Sequence, residues 1–165
     1  MTLAEAAEQA DVLAERGAER ELAQLRGEWD EELEAAVRSS DYRERAVAYR
    51  AIGQFRYRQK IELLRRGLED ESPAARGSAL VAVEQLSRDH PGVVNSLRPL
   101  LHSLANADSN EAVRRLSVVC LKNGSPQPDT IVLLQGLAEN DEEDAKLRGA
   151  ASQVAAALKK KAAAR

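Results

Sequence analysis

Apolar residues recur at three- and four-residue steps through almost the whole chain, and charge fills most of the positions between them. That spacing puts one apolar stripe on each of a succession of helices. Leu3, Ala6, Ala10, Leu13, Leu22, Leu25 and Trp29 form the first run. It opens on Thr2-Leu3-Ala4-Glu5, in which Thr2 can cap the third helical amide while Glu5 reaches back. One long or broken helix is expected to about Arg26, weakened at Gly17 and Gly27 by about 1 kcal/mol each. Trp29 is read as a packing anchor where this segment meets the rest of the chain.

From there the pattern predicts helices in pairs. The first pair is Trp29–Arg38 with Tyr42–Phe55, the second Arg58–Leu68 with Pro73–Arg88. A third begins after Pro91, runs through Val93, Leu97, Leu101 and Leu104 with a kink expected at Pro99, and returns from Asn110 to Gly124. Gly124 suits a left-handed helix terminus. The fourth pairs Asp129–Leu137 with a helix from the acidic run Asp141–Asp144 to about Lys161.

Each second helix carries the same mark. An Arg stands four residues after a capping residue and three before an Ala or Ser: Asp41/Arg45/Ala48, Ser72/Arg76/Ala79, Asn110/Arg114/Ser117 and Asp144/Arg148/Ala151. The pattern is that of an array in which stacking covers the face each hairpin leaves open. The expected division is an N-terminal helical extension or cap over residues 1–27 and an array over 28–165, with repeats at about 28–56, 57–89, 90–124 and 125–162.

A first helix ending in Leu-Leu-x-x-Leu, an acidic turn and then Arg followed by small residues resembles the HEAT repeat. Leu63-Leu64 through Arg76 carries this pattern, as do Leu100-Leu101 with Val113-Arg114 and Leu133-Leu134 with Leu147-Arg148. The resemblance implies an all-α, armadillo-like, right-handed α-solenoid of about four helix pairs, whose second helices line a concave face that binds proteins. It also implies that the marker arginines pair with turn acids in a ladder, with Asp70, Asp108 and Asp141 as the partners.

Composition adds a charge asymmetry. Net charge is −3 at 31% charged residues, too balanced to mark a nucleic-acid or membrane protein. Residues 1–40 nevertheless hold 11 acids against 4 bases, and residues 41–76 hold 9 bases against 6 acids. Either the acidic segment packs on its basic neighbour or each faces its own partner. The single Cys120 reads as a core residue. Glu5, Glu8 and Asp11 interrupt any signal-like apolar start, so a cytoplasmic location is expected. Abundant Ala and a high Arg-to-Lys ratio fit a GC-rich bacterial genome.

Candidate chemistry is sparse. His90 and His102 have no second ligand at metal-binding spacing, and the nine glycines are scattered rather than gathered into a phosphate loop. Neither a cofactor nor catalysis is expected. Counting from the marker Arg, positions one, four, five and eight of the second helices are expected to be outward. Tyr49, Arg50, Arg115, Val118 and Lys122 on that face are the candidate partner-binding residues, suited to an acidic or amphipathic segment of another protein. The competing reading of that face is inter-repeat core. The alternative function is a nucleic-acid-binding array using the basic stretch Arg43–Arg66 with its interleaved Tyr49 and Tyr57. A third possibility is homodimer formation through the N-terminal helix.

Overall fold

A computed structural model describes residues 1–165. It is all-α, with nine helices: α1 Leu3–Glu15, α2 Glu19–Ala36, α3 Tyr42–Gln54, α4 Ile61–Gly67, α5 Pro73–Ser87, α6 Gly92–Ala107, α7 Glu111–Leu121, α8 Pro128–Glu139 and α9 Ala145–Ala163. A 3-10 turn over Arg58–Lys60 leads into α4. The helices fall into two compact units, Met1–Leu86 and Ser87–Arg165.

The start signals act as their chemistry predicts. Thr2 and Glu5 form a complete capping box. Asp41 accepts from the amide of Arg43, Asn110 from that of Val113 and Asp144 from that of Leu147, so each satisfies an amide its helix cannot. The break between α1 and α2 falls at Gly17, whose φ of 72° is cheap only without a Cβ. The amide of Ala18 then bonds the carbonyl of Leu13.

The expected interruption near Gly27 does not occur. Gly27 lies within α2 with open space around it, and its propensity cost is too small to break a helix buried through Leu22, Leu25 and Leu33. The first helix of the first pair therefore starts at Glu19, and the boundary expected at 27/28 cuts through it. Gly124 also differs from expectation. It is not left-handed; a Cβ there would stand 2.5 Å from Val94 Cγ1, so close packing requires it. Helix α6 continues through Pro99.

In unit 1, α1 packs on α2 and α3, burying Leu3, Ala6, Ala7 and Ala10 within its own chain. The backbone of α3 meets that of α5 where Gly53 faces Ala82, a site at which a Cβ would lie 2.7 Å from Ala82 Cα. In unit 2, α6 and α7 form one hairpin, α8 and α9 the next, and α7 stacks on α9. Leu97, Leu101, Leu121, Leu134 and Leu158 fill its core, and Cys120 is fully buried among them.

Candidate partner-binding surface

The marker arginines serve the scaffold. Arg45 makes two bonds to the Asp70 carboxylate, at 2.8 and 2.9 Å, and a third to the Ser39 carbonyl of its own turn. These bonds, outweighing burial, hold the Asp70 carboxyl below the usual carboxylate range. Arg114 follows the same plan. It donates to the Ala105 and Asn106 carbonyls of its own hairpin and to Glu143 in the next turn, at 2.6 Å.

Glu143 therefore fills the place expected of Asp108 or Asp141. Asp108 instead accepts from the amide of Asn110 and shapes the turn, and Asp141 reaches Arg148 from a 91% exposed position. Glu143 belongs to the acidic run at the start of α9, where carboxylates also complement the helix dipole. The available signal was spacing: Arg114 to Glu143 spans 29 residues, close to the 25 from Arg45 to Asp70.

The candidate face divides. Tyr49 is buried, and its ring lies against Gly67 of α4, where a Cβ would stand 3.0 Å from it. Val118 is fully buried. Neither is available as a partner anchor. Arg50 and Lys122 are exposed. Arg115 is partly exposed and lies 3.9 Å from Asp144, while the backbone carbonyl of Lys122 accepts from Lys161. The physical reason is the direction of stacking. Of the residues at the four offsets from the marker Arg, Tyr49 points at the next hairpin through Gly67, and Arg115 does so through Asp144. On α9 the same offsets are Gly149, Ser152, Gln153 and Ala156, all exposed.

The basic stretch is largely engaged by acids. Arg56 binds Asp11 and Glu15 of α1, and Lys60 binds Asp30 and Glu34 of α2. Tyr57 donates to Asp30, with Arg26 and Lys60 both lying over its ring. Burial opposes the charge on Lys60, but its bonds to the two carboxylates prevail and its ammonium is pushed up to about 12. Arg43 is chelated by Asp41, and Arg65 pairs with Glu62. The acidic N-terminal segment thus packs on its basic neighbour.

A concavity of about 670 Å³ opens elsewhere in unit 1, between the first turn of α1, the last turns of α2 and the first turns of α3. Leu3, Ala4, Ala35, Ala36 and Val47 supply its apolar surface, and Thr2, Glu32, Arg43 and Glu44 its polar surface. Five large apolar residues of the chain are exposed: Met1, Val12, Tyr42, Val47 and Val132. Val47 lines this cleft, and Met1 and Tyr42 are chain neighbours of its lining. Sequence periodicity gave no sign of it, because its walls are alanines that read as ordinary helix filler.

No cluster of His, Cys, Asp and Glu could hold a metal ion, and no helix is long and apolar enough to cross a membrane. His102 hydrogen-bonds Thr130 at 2.8 Å across α6 and α8, a structural contact. Residues 30–103 match the family model described as HEAT repeats, which supports a HEAT-repeat protein. No curated protein matches it. HEAT repeats generally mediate protein–protein interaction or scaffolding.

Proposed function

We propose that this chain is a non-enzymatic interaction module that holds a segment of a partner protein. The observation that carries the reading is an open cleft in unit 1 with apolar walls, among them the exposed Val47. Apolar surface left open in a concavity marks docking sites on folded proteins. The second-helix face, without Tyr49 and Val118, contributes at most Arg50, Arg115 and Lys122 as polar contacts.

The nucleic-acid alternative loses support from the same geometry. Phosphate binding requires cations that release counterions, and Arg45, Arg56 and Lys60 are already paired with carboxylates. The test uses the full chain in two assays. Affinity capture followed by mass spectrometry is expected to return partner proteins above an empty-resin control, and duplex DNA at low salt to give no mobility shift. Capture no better than the control, or a salt-dependent DNA shift, overturns the reading.

A further inference from the structure

The cleft in unit 1 is shaped for one kind of guest. Its room comes from small side chains, since Ala4, Ala35 and Ala36 stand where larger residues would fill the space. At about 670 Å³ it falls within the roughly 300–1,000 Å³ of ligand-sized sites. Such sites orient a small molecule through convergent polar groups, and here the helix-start groups are already occupied. Thr2 and Asp41 cap α1 and α3. What remains is an apolar floor with charge at its margin, the arrangement that receives a side-chain anchor from an amphipathic segment.

The sign of that charge is negative. Arg43, the one cation in the lining, is held by both carboxylate oxygens of Asp41 at 3.1 Å. Glu32 and Glu44 remain, with Glu44 accepting only from the Ser39 hydroxyl. The end of α2 adds to them, while the positive ends of α1 and α3 are offset by the caps Thr2 and Asp41, which already accept amides of their first turns. A helix C-terminus carries partial negative charge that basic residues ordinarily offset. The last turn of α2 contains none, Arg38 just beyond it is paired with Glu34 at 3.5 Å, and Glu28, Glu31 and Glu32 are exposed along its second half. Carboxylates at that end repel the helix's own carbonyl dipoles, so a cation placed there relieves both.

We infer that the cleft receives the apolar anchor of a lysine- or arginine-bearing amphipathic segment of a partner protein, with the cations lying against Glu32, Glu44 and the end of α2. This rests on the reading of the chain as an interaction module. It reverses the charge expected from the second-helix face, which pointed to an acidic segment.

The test is fluorescence anisotropy with a labelled 15-residue peptide of Leu and Lys at helical spacing. A matched peptide carries Glu in place of every Lys. The Lys peptide is expected to bind the wild-type chain at least tenfold more tightly than the Glu peptide. Ala35→Phe, which fills the cleft, and the Glu32→Lys/Glu44→Lys pair are each expected to weaken it at least tenfold. Circular dichroism checks that the variants are folded, and Ala4→Leu replaces Ala35→Phe if that protein is not. Equal binding to the filled cleft, no binding to wild type, or preference for the Glu peptide overturns the inference. Partner capture separates the two readings. Partners retained by Ala35→Phe overturn the inference alone, whereas no capture by the wild type overturns the interaction module itself.

Discussion

The two units join their hairpins by one shared device and then diverge. Each ties a marker arginine to an acid in the following turn, Arg45 to Asp70 in unit 1 and Arg114 to Glu143 in unit 2. Beyond that, unit 1 is sealed by opposite charges on different helices: Asp11 with Arg56, and Asp30 and Glu34 with Lys60. Unit 2 is sealed chiefly by side chains that satisfy backbone groups, a device that unit 1 uses only beside its ion pairs, where Arg26 donates to the Phe55 and Arg56 carbonyls. Lys161 donates to the Lys122 and Gly124 carbonyls, Arg98 to that of Ser125, and Asn95 accepts the Ser125 amide. The apolar stripe specifies a hairpin. Residues outside the repeat decide how hairpins are fastened, and in unit 1 they use the charge that first looked free for a ligand.

The largest expected effect separates the two close approaches. A Cβ at Gly53 meets the backbone at Ala82, whereas at Gly124 it meets the Val94 side chain at 2.5 Å and the end of Arg98. Side chains can turn aside more readily than backbone can move. Gly53→Ala should cost about 2–3 kcal/mol and Gly124→Ala about 1 kcal/mol in urea denaturation, in the range for overpacking. The reverse order would break the contrast between a rigid and a yielding seam.

The shared arginine device comes next. Asp70 is 6% exposed and bonded twice by Arg45, against 18% for Glu143, which takes one bond from Arg114. Asp70→Asn should therefore lower the melting temperature more than Glu143→Gln. Equal losses would mean that the two joints have the same strength.

Mild acid and strong alkali should loosen different units. Burial, outweighing the nearby Asp129, lowers the pKa of His102, so the folded state favours the neutral ring. The stability this gives unit 2 is complete above the unfolded value of about 6.5 and is lost as pH falls through the lower folded value. Lys60 has the opposite sign. Its contribution to unit 1 is complete below its ordinary value of about 10.5 and is lost as pH rises through about 12. Amide exchange should rise first in α6 and α8 on mild acidification, and first in α2 and the 3-10 turn in strong alkali. His102→Gln should abolish the mildly acidic component only.

The smallest effect should be the same in both units. Gly27 in α2 and Gly136 in α8 are helical, and a methyl group added at either would meet nothing within 4 Å. Ala at either position should therefore add about 0.5–1 kcal/mol. Unequal gains in denaturation would show that one helix frays more than the other.

Local chemistry made much of the fold readable. Capping residues, acidic turns and the marker arginines act through neighbours a few residues away, so Asp41, Asn110 and Asp144 could be placed at helix starts from spacing alone. Gly17 and Gly27 could not be ranked that way, because the two have the same propensity and only the burial of Leu22 and Leu25 decides between them. The site was less legible. Helical period places Tyr49 and Val118 together on a face without saying what stacks there, and both meet the protein interior. The cleft depends on three helix ends meeting around small residues, a property of packing that no single stretch records.

Arg56 carries a consequence for the order of folding. It sits at φ 52°, a left-handed position after α3 that glycine usually fills, with the amide of Tyr57 closing back on Ile52. Its guanidinium secures the Gly53 and Gln54 carbonyls and reaches Asp11 and Glu15. Two of these acceptors belong to the same turn and two to a helix more than 40 residues earlier. Closing that distant loop is slow relative to forming a turn. Local closure at the end of α3 is therefore expected to come first, with the later arrival of α1 locking the strained backbone in place.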